Sequence, residues 1–173
     1  MSSDLEILLQ EYDGVSTTIL SEARMAYRGG ESFLSDLIAL CGDARPLMAD
    51  GATWILKAEI EDGTVIPSDL VALLVDGLGA VGSWAACLHL CQSVEGIALT
   101  SDQAKEFRLW AMGLADHKRP FLRAWALHAQ VYLIVTYALA DGTVAGLLGA
   151  AGEDKAASVR ARARQLQKRF FKV

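Results

Sequence analysis

The sequence predicts an all-α protein assembled from antiparallel helical pairs that stack on one another. Three observations point there. Alanine and leucine are abundant and alternating runs of β-branched residues are nearly absent, a balance that favours helix over strand. Only three prolines occur, Pro46, Pro67 and Pro120, so long apolar stretches can run as uninterrupted helix. Finally, Arg45-Pro46-Leu47-Met48 returns as Arg119-Pro120-Phe121-Leu122 after 74 residues, twice 37.

The period of roughly 37 residues has further members. Gly82-Ser83-Trp84-Ala85 lies halfway between the two Arg-Pro segments, and Ala156-Ala157-Ser158-Val159 lies one period beyond the second. Leu122-Arg123-Ala124-Trp125-Ala126 and Val159-Arg160-Ala161-Arg162-Ala163 share apolar, arginine, alanine, variable, alanine in phase. Ser35-Asp36-Leu37-Ile38-Ala39-Leu40 echoes in Ser68-Asp69-Leu70-Val71-Ala72-Leu73 at a shorter offset of 33, so the register is imperfect. A hairpin that is apolar over more than half its circumference needs a neighbouring hairpin to cover it, which is why such pairs should stack.

Each element follows from local signals. Helices over 4–12 and 15–27 form an N-terminal pair, broken by Asp13-Gly14 and closed by Gly29-Gly30. Helices over 31–41 and 45–61 form the next pair, stopped by Asp62-Gly63. Ser68 after Pro67 should cap a helix to about Gly77, with 84–94 as its partner. Ser101 should cap a helix over 102–115, followed by 120–140. The last pair covers 143–151 and 155–171. In 120–140, Phe121, Leu122, Trp125, Leu133 and Val135 point in several directions, as a helix covered on two sides requires. In the last helix Val159, Ala163, Leu166 and Phe170 make one stripe, while Arg160, Arg162, Arg164, Lys168, Arg169 and Lys172 fill the rest. One wet face marks a capping unit.

These residues resemble HEAT repeats, whose second helix follows an Asp turn with an apolar–Arg pair and then small residues. Asp154…Val159-Arg160…Ala163 matches, and Asp116…Leu122-Arg123…Ala126 matches with one extra residue. Asp43 keeps the turn but Ala49 stands where the arginine belongs, and the unit around Trp84 has neither. The resemblance covers residues 31–173, with 1–30 as an N-terminal cap of one 173-residue domain. It implies a right-handed α-solenoid of about four repeats plus an N-terminal helical pair. It also implies that Arg123 and Arg160 belong to an Asp–Arg ladder between repeats.

Composition narrows the function. A net charge of −5 would not draw the chain as a whole to DNA or an anionic membrane. Three cysteines, Cys41, Cys87 and Cys91, suit reduced thiols in a cytoplasmic protein. The N-terminus lacks the basic start and apolar run of a signal peptide, and no segment reads as a membrane span.

No catalytic constellation or cofactor motif is present. Cys87-Leu88-His89-Leu90-Cys91 invites a metal, yet at about 100° per residue His89 points roughly 200° from Cys87. No metal is expected there. Gly146, Gly149 and Gly152 read as close helix packing; the four tryptophans read as core by default, with an exposed one able to anchor a partner.

What remains is basic surface. Lys118 and Arg119, beside His117, sit at a helix start suited to an anion. Arg123, Arg160, Arg164 and Lys168 follow, the last three as one ridge of the terminal helix. The expectation is a non-enzymatic interaction module that holds a protein or peptide along a groove lined by the second helices. The alternative is a nucleic-acid-binding protein, since Arg119-Pro120-Phe121-Leu122-Arg123 faintly resembles helix starts of HEAT-like DNA glycosylases for alkylated bases. Apolar Phe170-Phe171 leaves room for an accessory subunit stacking on another chain.

Overall fold

The structure is a computed structural model that describes residues 4–140 and 143–171. Among these residues it is all-helical, with ten α-helices and no strand. The helices are α1 (Asp4–Leu9), α2 (Thr18–Tyr27), α3 (Phe33–Cys41), α4 (Pro46–Glu61) and α5 (Ser68–Gly77). They continue as α6 (Trp84–Ser93), α7 (Ser101–Met112), α8 (Pro120–Thr136), α9 (Val144–Gly152) and α10 (Ala157–Phe170). Lys172, counted with the basic face of the last helix, lies outside the described residues.

The period survives as spacing. Helices α4, α6, α8 and α10 begin at Pro46, Trp84, Pro120 and Ala157, intervals of 38, 36 and 37 residues. The residue before each start, Arg45, Ser83, Arg119 or Ala156, is extended, with ψ between 109° and 136°. Proline at the first helical position costs no hydrogen bond, so the two Arg-Pro segments start helices alike.

Boundaries differ where side chains or backbone intervene. α2 begins at Thr18 because the Asp13 carboxylate accepts from the amides of Val15 and Ser16 and holds that stretch as a turn. α8 ends at Thr136, and Ala138, with φ of 49°, turns the chain out of the helix. The cap of α7 is Thr100, not Ser101. Its Oγ1 accepts from Gln103 N at 3.2 Å while Gln103 Oε1 accepts from Thr100 N at 2.9 Å, a complete capping box. Ser68 is the first helical residue of α5 and makes no side-chain cap.

The chain forms two compact units, Met1–Ala98 and Leu99–Val173. In the first, α4 is the central element and packs against α1, α2, α3 and α6, while α3 also packs against α5. α4 accordingly buries Met48, Ala52, Ile55, Leu56 and Ile60 on more than one side. Gly96 lets a short turn close on it, since a Cβ there would lie 2.2 Å from Ile60 Cγ2. Buried Glu59 near the end of α4 accepts from Arg24 Nε (2.6 Å) and Thr64 Oγ1 (2.7 Å), and Arg28 Nε lies 3.2 Å away. Arg24 also binds Asp62, so one guanidinium ties α2 to the last turn of α4.

Asp50 joins α4 to α6. Its carboxylate accepts from Ser83 Oγ and, at 3.1 Å, from Ala86 N, supplying the cap that α6 lacks locally. Burial holds its carboxyl above the ordinary value, against the opposing pull of those two bonds.

In the second unit α8 packs against α7, α9 and α10, and α9 against α10. Ala124, Leu127, Val131, Leu148, Ala151, Val159, Ala163 and Leu166 form its core, with Phe170 partly buried beside it. The apolar stripe expected on the last helix is therefore present. In α8, Leu122 and Leu133 are buried, but Phe121 and Val135 are 51% and 38% exposed. The helix is covered on more than one side, as its packing against α7, α9 and α10 requires, but these two residues are not part of the covered surface. Nor are the tryptophans core: Trp84 is 38% exposed, and Trp54, Trp110 and Trp125 are only partly buried.

Candidate functional site

All six basic residues singled out in the sequence lie in the second unit, in three settings. The turn before α8 holds Lys118 and Arg119, both exposed. His117 Nδ1 accepts from Arg119 N at 3.1 Å, the bond that Asp43 Oδ1 and Asp154 Oδ1 make to Arg45 N and Ala156 N at 2.8 Å. His117, not Asp116, thus occupies the turn position before α8. The hollow beside it, about 430 Å³, brings Lys118, Lys155 and Arg123 against Asp116, Glu153 and Asp154. With acids and bases balanced, it is not built for a free anion.

Arg123 and Arg160 form the second setting. Arg123 binds Asp154 through Nε (3.1 Å) and Nη2 (2.7 Å) and gives Nη1 to the His117 carbonyl at 2.9 Å. Arg160, one period later, gives Nη1 to the carbonyls of Asp154 (2.7 Å) and Lys155 (2.8 Å). Both arginines thus reach the carbonyl six residues upstream, which makes them equivalent in register. The Arg123 guanidinium, first, then the Ala156 amide, hold the Asp154 carboxyl below its ordinary value.

Arg164 and Lys168 make the third setting. They rim an open groove of about 790 Å³ between α9 and α10, with Gln167, over a floor of Ala145, Leu148, Gly149, Gly152 and Ala163. Nothing lies within 4 Å of a Cβ built at Gly149 or Gly152, and at Gly146 only Thr143 does. The glycines do not mediate close helix packing; Gly149 and Gly152 leave the groove floor open. The ridge expected of Arg160, Arg164 and Lys168 is thereby divided, with Arg160 spent on the turn and the other two on the groove.

On α8 and α10, Arg162 stacks over the Trp125 ring at 3.9 Å, and Trp125 meets buried His128 at 4.9 Å. The sequence leaves open that a tryptophan could be exposed, but not that Arg162, 37 positions away, would cover this one.

The cysteine–histidine segment resolves into packing. Cys87 and Cys91 are buried, and burial raises both thiols, Cys87 to about 11. His89 Nδ1 lies 3.0 Å from Thr53 Oγ1, which is itself 2.8 Å from the Ala49 carbonyl. With the hydroxyl proton on that carbonyl, the ring donates from Nδ1. Burial, then the Lys57 charge, pushes His89 down to about 4. Among the described residues no group of three or more His, Cys, Asp or Glu side chains could hold a metal. No described helix is long and apolar enough to cross a membrane.

No family model, curated protein or solved structure matches the chain.

Proposed function

We propose that the protein is a non-enzymatic interaction module whose last helical hairpin takes up an amphipathic helical segment of a partner protein. The groove between α9 and α10 carries this reading. Its floor is apolar, its rim bears Arg164 and Lys168, and among the described residues no acidic one lines it. An apolar helix face fills such a floor, and carboxylates flanking that face meet the rim cations.

The hairpins are proposed to follow the plan of a right-handed α-solenoid of the HEAT type, in a cytoplasmic setting. The 36–38-residue spacing of α4, α6, α8 and α10 supports this, as does the Arg123–Asp154 pair. The exposed sides of the second helices, with Trp84 in one unit and Trp125 with Arg162 in the other, offer further contact points.

The test is fluorescence anisotropy with a labelled amphipathic helical peptide, leucines along one face and glutamates on its flanks. Saturable binding that falls at least tenfold (about 1.4 kcal/mol) in the Arg164→Glu/Lys168→Glu variant is the expected result. Equal binding by a scrambled peptide, or by a Gly149→Leu variant with its floor blocked, overturns the reading.

One observation favours a second reading, a nucleic-acid backbone as ligand: α10 carries Arg160, Arg162, Arg164, Lys168 and Arg169 and no acid. Duplex DNA affinity falling steeply between about 50 and 200 mM salt would support it.

A further inference from the structure

We infer that the segment taken up by the α9–α10 groove is the N-terminal hairpin of a second copy of this chain. The inference rests on the reading of that groove as a docking site and names its occupant.

The α1–α2 hairpin presents the opposite half of such a contact. Ile7 is 56% and Met25 82% exposed. Two shallow hollows, of about 350 and 470 Å³, surround them, the first bordered by Asp4 and Glu11 and the second by Glu22. The hairpin's own cations do not offset these acids, because Arg24 and Arg28 are turned to Glu59 and Asp62. Its free surface is therefore apolar and acidic, whereas the groove is apolar and basic. The sequence carries the same contrast: from Lys155 onward there are seven basic residues and no acidic one.

Shape agrees with charge. The groove has open space above Gly149 and Gly152, where a side chain from outside can enter. Met25 is long, unbranched and adaptable, and such a side chain fills an irregular apolar notch without a fixed shape. The two surfaces are different patches on the same chain, so the contact is heterologous. Each copy keeps one half free after pairing, and association need not stop at two.

The experiment uses the full chain and two one-sided variants. Met25→Arg spoils the hairpin face and leaves the groove intact. Gly149→Leu/Arg164→Glu spoils the groove and leaves the hairpin intact. Sedimentation velocity from about 1 to 300 µM at low salt is expected to show concentration-dependent association of the unaltered chain, weakened by added salt. Each variant alone should sediment as a monomer with unchanged circular dichroism. An equimolar mixture should form a one-to-one complex, since each supplies the half the other lacks.

An unaltered chain that stays monomeric throughout overturns the inference, as does association retained by either variant alone. If the chain is monomeric while the acidic amphipathic peptide still binds the groove, the second copy is excluded and the docking site stands. If the peptide also fails, both fall.

Discussion

Arg123 of α8 and Asp154, the residue that opens the turn into α10, meet through two nitrogens and two oxygens at 3.1 and 2.7 Å. Both side chains are less than a fifth exposed, 17% and 19%, so water screens the pair only in part. The same carboxylate accepts the Ala156 amide, and the same guanidinium holds the His117 carbonyl. One pair therefore fixes the turns before α8 and α10 together.

Replacing Asp154 with alanine should cost about 1–3 kcal/mol by urea denaturation, because it strands the Arg123 fork and frees the start of α10. A double-mutant cycle with Arg123→Ala should show coupling. Since the folded Asp154 pKa is lowered, its stabilisation is present above the unfolded value near 4 and is lost as pH falls through the folded one. A cycle with no coupling at pH 7 would disprove the pairing.

His89 should make stability fall on acidification. Its folded pKa of about 4 lies below the ordinary 6.5, so stability is complete above 6.5 and declines as pH drops toward 4. Between pH 7 and 5 the loss should be about 2 kcal/mol more in the unaltered chain than in His89→Gln. Urea midpoints of the two proteins at both pH values check this, and parallel curves would refute it.

Two glycines should respond in opposite directions. Gly149→Ala places a methyl where nothing lies within 4 Å and removes a flexible residue from α9, so stability should rise by about 0.5–1 kcal/mol. Gly96→Ala drives a methyl to 2.2 Å from Ile60 Cγ2, and stability should fall by about 1–3 kcal/mol. Thermal melts of the two variants distinguish them by sign.

Asp50→Ala should uncap α6 and cost about 1–2 kcal/mol. Asp50→Asn keeps an acceptor for Ser83 and Ala86 and abolishes the burial penalty on the charge, so it should remain close to the unaltered protein. Denaturant titration at pH 7 is sufficient, and an asparagine variant as weak as alanine would count against the capping role.

Much of the helix map was legible because punctuation in this chain is local. Pro46 and Pro120 begin helices, and Gly14, Gly29 and Gly63, all at positive φ, end or separate them. Long-range effects were not legible. Nothing in the residues around Ser83 says that α6 is capped from Asp50, 33 positions earlier. The site was legible in charge but not in form. The basic residues of the terminal helix stand out in sequence, yet their division between a turn and a groove depends on which side of α10 meets the core. Gly149 and Gly152 were misread because a glycine-rich helix looks the same in sequence whether its small face meets another helix or open space.

The three buried cysteines have a practical consequence. Cys41, pushed up to about 12, and Cys87 and Cys91 are all held as protonated thiols away from solvent. The folded chain should therefore be inert to maleimide at neutral pH. A single cysteine placed on the surface, at Arg164 or Met25, becomes its only reactive handle, so dyes, spin labels or cross-linkers can be attached there with the native cysteines left in place.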